Sequence, residues 1–212
     1  MTLPEANRIV GGLSAPSFLP CKAYNLDARN CITGSKLVSV PGSTCSGCYA
    51  LRNSYNYPAV RAAMERRLEA LLHPQWAEAM ALLINHELAK GIDVFRWHDA
   101  GDIQSEWHLG RIATVATRTP NVRHWLPTRE YAIVKHWLAT NACPPNLIIR
   151  LSGHMVDRPP PTASNLPTQV VYTSSCPSYA FACPAVETKR FKCLDCRACW
   201  DPSIACIGTK AF

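Results

Sequence analysis

Apolar positions recur at helical spacing over residues 58–90 and fall into short extended runs after that. Val60, Met64, Leu68 and Leu71 follow Pro58 about one turn apart, and proline suits a first helical turn. Pro74 breaks the run. Trp76, Met80, Leu83 and Leu88 then form a second stripe, which Gly91 can end. Beyond Ile92, strands and helices alternate. Asp93 to His98 reads as a strand, and Ser105 caps a helix running to about Thr117. Val122 to Leu126 is a second strand, and Glu130 to Thr140 is a helix. Leu147 to Leu151 and Gln169 to Thr173 complete the set, separated by a proline-rich connection from Arg158 to Pro167.

Strand–helix–strand alternation predicts an α/β fold with a parallel sheet and right-handed crossovers, open or closed into a partial (β/α) barrel. Ligands then collect at the carboxyl ends of the strands. The flanks differ from this core. Residues 1–57 and the segment from 176 to 212 are rich in Cys, Pro, Gly and Ser and lack a sustained period. The expected organisation is an N-terminal Cys-rich segment over 1–57, an α/β core over 58–175 and a C-terminal Cys-rich lobe over 176–212. Segments this irregular need something other than packing to order them, and a bound metal would serve.

Composition sharpens that point. Eleven cysteines lie among 212 residues, an odd number that suits disulfides poorly. Met1 to Gly12 does not read as a secretory signal, and no window approaches the roughly 18 apolar residues of a membrane span. A cytoplasmic protein without membrane association is expected, and cysteine-dense cytoplasmic chains more often bind metal than form disulfides. The formal charge of +7 admits a DNA or RNA partner. Two four-iron clusters of about −2 each would lower that excess to roughly +3.

The cysteines fall into two groups. The first is Cys21, Cys31, Cys45 and Cys48. Within it Cys45-Ser-Gly-Cys48 lets two thiolates of a tight turn reach one centre, and Gly47 eases the turn. A CxxC pair alone fits a redox dithiol, zinc or an iron–sulfur cluster. The second group is Cys193, Cys196 and Cys199, whose C-x2-C-x2-C run resembles the ligand run of bacterial ferredoxins and favours iron over zinc. Cys183, in a Cys-Pro pair, is the chosen fourth ligand, with Cys176 and Cys206 as competitors. Cys143, Cys176 and Cys206 otherwise read as ordinary buried thiols.

Polar residues gather at the expected strand ends. In FRWHDAGD, strand alternation puts Arg96 and His98 on one face. Gly101 allows a sharp turn, and Asp102 follows it. Thr128, Arg129 and Glu130 end the second strand. Arg150, Ser152 and His154 end the third, and Tyr172, Ser174 and Ser175 the fourth. Such tips on successive strands suggest one shared pocket, though salt bridges and helix caps would use the same residues.

The blocks CITGSKLVSVPGSTCSGCYALRNSY, FRWHDAGDIQS, HWLPTRE and KCLDCRACW occur in order. Together they resemble the gene-product-88-like family of phage and prophage proteins, over about Pro20 to Trp200. The Cys45–Ala50 piece is also similar to phage proteins close to the radical-SAM enzymes. That wider resemblance implies a radical-SAM-like partial barrel with an iron–sulfur cluster near its mouth. Cys31, Cys45 and Cys48 would then hold a four-iron cluster whose fourth iron binds S-adenosylmethionine. Arg96, His98 and Asp102 are the candidate catalytic groups, and Arg129, Arg150 and Ser152 the candidate cofactor contacts. Two departures matter. Thirteen residues separate Cys31 from Cys45, and Cys21 could close the cluster as a fourth ligand. The expectation is a phage-type protein with two 4Fe-4S clusters, in the host cytoplasm if phage-encoded. Two alternatives stand beside it. One is a nucleic-acid-binding protein stapled by clusters or zinc, with phosphate contacts from Lys22, Arg29, Lys36, Lys189, Arg190, Lys192 and Arg197. The other is an electron-transfer protein.

Overall fold

The computed structural model describes residues 1–161, 165–188 and 192–211; Lys189 and Arg190 lie outside them. Seven parallel strands form one sheet. In chain order they are β1 (Ala23–Tyr24), β2 (Val94–Trp97), β3 (Arg123–Thr128), β4 (Leu147–Ser152), β5 (Thr168–Tyr172), β6 (Phe181–Ala182) and β7 (Cys206–Lys210). Their spatial order is β1-β2-β3-β4-β5-β7-β6, so β1 and β6 are the edges and the sheet does not close. The alternation read from the sequence is therefore an α/β fold with an open parallel sheet.

Among the described residues six α-helices accompany it. They are α1 (Leu3–Ile9), α2 (Ile32–Leu37), α3 (Pro58–Ala70), α4 (Trp76–Leu88), α5 (Glu106–Arg118) and α6 (Tyr131–Leu138). Local sequence explains their starts. Thr2 and Glu5 make a reciprocal capping box on α1. Pro58 opens α3, and the Ser105 hydroxyl accepts from the His108 N–H at the start of α5. Sequential strand order with parallel crossovers brings α4, α5 and α6 side by side on one face, and α1 packs against α4.

Strand alternation divides the buried residues between the two faces. Phe95, Trp97, Leu126, Leu147, Ile149 and Leu151 face the helices, packing with Trp76, Met80, Leu109, Ile112 and Val115. Val94 and Trp125 point the other way, where Trp200 from the C-terminal segment covers them. Every residue of β4 is buried, as expected for a central parallel strand covered on both sides. Arg150, fully buried on β4, donates to the carbonyls of Ala198, Cys199, Asp201 and Ile204. The Trp200 indole donates to the Phe95 carbonyl at 2.8 Å. The C-terminal Cys-rich segment is thus bound to the sheet face opposite the helices. Among the described residues no helix is long and apolar enough to cross a membrane.

Two histidines lie within the helix-side core. The His124 ring stacks on Trp97, accepts from its indole N–H at 3.2 Å and meets the Thr119 hydroxyl at 2.8 Å. His108 accepts from the Gln104 N–H at 3.3 Å. Burial lowers both to about 3, with Arg111 adding to the effect at His108. A lowered histidine stabilises the fold above its unfolded value of about 6.5, and that stability is lost as pH falls from there toward 3. Each contributes a slope of about 1.4 kcal/mol per pH unit in that window. His124→Gln should reduce the pH slope of the unfolding free energy between pH 6.5 and 4.5 by about that amount. Urea titrations at four pH values check this, and parallel lines for the two proteins would refute it.

Candidate functional site

The Cys31 and Cys45 thiols border one space beyond the carboxyl end of the sheet, and Cys48 packs on the same cluster as Cys31. Cys31 follows β1 and precedes the first turn of α2. Cys45 and Cys48 close a tight turn, with the Cys48 N–H on the Cys45 carbonyl at 3.2 Å. A Cβ at Gly34 would lie 3.7 Å from both the Cys31 and the Cys45 sulfur, so both border the space beside this glycine. Cys31 and Cys48 pack on the same small cluster of Ala28, Ala50 and Ala100. Burial pushes the Cys31 and Cys45 thiols up, and for Cys31 the neighbouring Asp102 and the other two cysteines add to it. The Arg129 guanidinium opposes the shift at Cys45.

A ring of hydrogen bonds fixes these segments to the strand ends. The Glu130 carboxylate accepts from the Thr33 N–H at 2.8 Å and its hydroxyl at 2.6 Å, tying the start of α2 to the end of β3. Arg129 donates through Nε to the Thr44 hydroxyl at 2.9 Å, beside Cys45. Thr44 N–H in turn donates to the His154 carbonyl past β4 at 2.9 Å. Asp102, fully within the protein, accepts from the Thr128 hydroxyl at 2.6 Å and from the Arg129 N–H at 2.9 Å. Burial raises its carboxyl to about 6, although those two hydrogen bonds oppose the shift.

Gly101 has φ +80°, and a Cβ there would meet the Leu26 carbonyl oxygen at 2.7 Å. Gly101→Ala therefore combines a left-handed backbone with a backbone clash, and should cost about 1–3 kcal/mol or more. An unchanged urea midpoint would contradict this.

The other expected site residues separate. His98 lies just past β2 with φ +52°, which breaks strand alternation. Its ring meets His108 of α5 edge-on at 5.3 Å, on the helix side, rather than sharing a face with Arg96. Neither ring nitrogen of His98 has a partner among the described residues. Arg96 stays on the opposite face, with its guanidinium 4.3 Å from the Trp125 ring centre. Arg150 is engaged with the C-terminal segment as described above. Ser152 is buried, and its carbonyl accepts from the Tyr131 hydroxyl. Asp99, in the motif but not singled out from it, is buried with the Tyr55 hydroxyl at 3.0 Å and the Ser14 hydroxyl at 3.3 Å. Gly34, Thr33 and Thr44 also went unnoticed. Their only signal was closeness to Cys31 and Cys45.

Cys21 does not join the strand-end thiols. It packs with Val94, Trp125, Trp200 and Cys199 on the other face of the sheet. The Cys193 N–H donates to the Phe18 carbonyl at 3.0 Å, which holds the loop before Cys21 against the C-terminal run. Burial pushes Cys21 and Cys199 up to about 12. The charge of Cys193 bears on both, and the charges of Cys183 and Cys196 bear on Cys193. Cys183 therefore lies with Cys193, Cys196 and Cys199. Cys176 and Cys206 neighbour one another instead, at β7. Among the described residues no group of three or more His, Cys, Asp or Glu side chains is arranged so that it could hold a metal ion as it stands.

Basic residues are partly committed. Arg29 pairs with Asp27 at 2.9 Å, and Arg197 donates to the Leu194 and Cys196 carbonyls. No curated protein and no solved structure matches the chain. A family model described as gene product 88 matches residues 6–202, nearly the whole length over which both cysteine groups and the sheet are built, and the chain belongs to this phage protein family.

Proposed function

We propose that the chain is an iron–sulfur protein of radical-SAM-like architecture with two 4Fe-4S clusters, one of them open at an iron. The observation that carries this reading is the grouping of Cys31, Cys45 and Cys48, without Cys21, beyond the carboxyl ends of an all-parallel sheet. Three soft donors suit iron–sulfur ligation, and the carboxyl end is where such sheets bind ligands. On this reading the open seven-stranded sheet is a partial (β/α) barrel.

The residues present fit such a group. Buried thiols whose pKa is raised need a cation to become ligands, and cluster binding releases their protons. A four-iron cluster with an open iron supplies the one-electron reductive cleavage of S-adenosylmethionine. The chain's own residues supply the rest. Arg129 balances thiolate charge next to Cys45 and has guanidinium N–H groups beyond the one given to Thr44. Those can bind an anionic ligand group such as a carboxylate. Glu130 and Asp102 orient the Cys31 and Arg129 segments through their hydrogen bonds. His98 has two ring nitrogens without a partner among the described residues, at the end of β2. The cytoplasm keeps such thiols reduced, and it is the compartment we propose.

The test is anaerobic purification followed by iron, sulfide and zinc analysis, then paramagnetic resonance of the dithionite-reduced protein with S-adenosylmethionine. About eight irons with equal sulfide, and a spectrum altered by the addition, are expected. Zinc without sulfide would overturn the reading and bring forward a stapled nucleic-acid-binding protein.

A further inference from the structure

The sheet face opposite the helices carries two buried donors with no acceptor among the described residues. The Arg96 Nε and the Trp125 indole Nε1 are both buried and have no hydrogen-bond partner among the described residues. Trp125 is 5% exposed. The two residues are direct neighbours across β2 and β3, with the Arg96 guanidinium over the Trp125 ring at 4.3 Å. An unsatisfied buried donor costs about 1–3 kcal/mol, so two adjacent ones point to an acceptor. Thiols surround them. Trp125 packs with Cys21 and, through the same cluster, with Cys199. The Arg96 charge bears on Cys21, Cys193 and Cys199.

Arg96 also lacks an ion pair within 4 Å among the described residues. The rings of Trp125 and Phe18 lie against it, the latter 5.9 Å from its guanidinium carbon, and Asp99 and Tyr49 also act on its charge. The charges of Tyr49 and Asp99 favour the buried cation, but the Arg96 Nε itself has no acceptor among the described residues. A negatively charged iron–sulfur cluster would supply the missing acceptors, its sulfurs accepting both N–H groups.

We propose that Arg96 and Trp125 donate hydrogen bonds to the sulfurs of the cluster held by the C-terminal cysteines, and that Cys21 lines this second site. The inference rests on the preceding reading that these cysteines hold an iron–sulfur cluster. It moves Arg96 from a catalytic role to a positioning and charge-balancing one. It also gives Trp125 a role that its place in an apolar cluster conceals. N–H donors stabilise the more negative, reduced cluster, so they raise its potential.

Two measurements test it on the full chain. In wild-type protein labelled with 15N-tryptophan and reduced with dithionite, pulsed paramagnetic resonance should detect a weak 15N coupling on one cluster. That cluster is the one whose spectrum S-adenosylmethionine leaves unchanged, and Trp125→Phe should abolish the coupling. In redox titrations, Trp125→Phe and Arg96→Lys should each shift that cluster's midpoint to more negative values and leave the S-adenosylmethionine-responsive one in place. Variants with full iron content, unmoved potentials and no 15N coupling would overturn this inference and leave the function above intact. A shift confined to the responsive cluster would overturn it as well. Iron and sulfide for only one cluster in the wild type would remove the second-site reading, and this inference with it.

Discussion

Cys45→Ala is expected to lose about half of the iron and sulfide and all response to S-adenosylmethionine, while Cys21→Ala keeps that response. The contrast follows from which thiols share a space. Cys45 borders the gap beside Gly34 together with Cys31, and Cys31 and Cys48 share one apolar patch. Removing one of three ligands leaves two, too few to retain a four-iron cluster against reductants and chelators. Cys21 lies instead with Trp125, Trp200 and Cys199. Its loss should lower stability by about 1 kcal/mol through a small cavity, without touching the strand-end site. Iron analysis and paramagnetic resonance of the two variants decide the matter. A Cys21→Ala protein that no longer responds, or a Cys45→Ala protein that still does, would mean that the thiols are grouped by sequence and not as they pack.

Sequence proximity is a poor guide here for a physical reason. Cys21 precedes β1 and Cys31 follows it. A strand carries its flanks to opposite ends, so only nine residues of chain lie between two thiols that spacing alone would join. The same geometry explains what was legible. The helices over 58–88 and the four strands β2 to β5 have strong apolar periods, and all appear near their expected positions. The sheet strands in the flanks did not announce themselves. β1 and β6 have two residues each, and β7 is CIGTK, too short and too mixed to stand out. Pairing with a neighbouring strand makes them, not their own pattern. α1 lies in the stretch read as irregular: its seven residues hold too few apolar positions for a period, and its start rests on the reciprocal capping of Thr2 and Glu5. Arg96 and Trp125 show the converse. Alternation predicted a charged residue on one face of β2, but its partner on β3 emerges only from the register. His98 escaped the alternation because its backbone turns left-handed at the strand end.

Arg150→Met should destabilise the protein by about 3–5 kcal/mol and release the C-terminal segment from the sheet. Arg150 is 0% exposed, and its hydrogen-bond acceptors among the described residues are all backbone carbonyls. Its charge is spread over four carbonyls, those of Cys199 at 3.0 Å, Ile204 at 2.8 Å, Ala198 at 3.1 Å and Asp201 at 2.6 Å. Burial lowers its pKa, and the thiols of Cys199 and Cys206 together with Asp201 oppose that shift. Methionine matches much of the side-chain volume but leaves the Cys199 and Ile204 carbonyls without their donor, while those of Ala198 and Asp201 keep only the Asp201 and Ile204 N–H groups at 3.2 and 3.3 Å. Lysine has three donors and one centre, so Arg150→Lys should recover part of the loss and not all of it. The affected carbonyls belong to residues 198–204, which connect the Cys193–Cys199 run to β7. Their amide hydrogen exchange should therefore rise before that of β3 and α5, and iron at the second site should be lost first. Wild-type exchange over 198–204, with an unchanged urea midpoint, would show that the segment is held by Trp200 and β7 alone. The expected result ties a sheet residue to the retention of a cluster that it does not ligate.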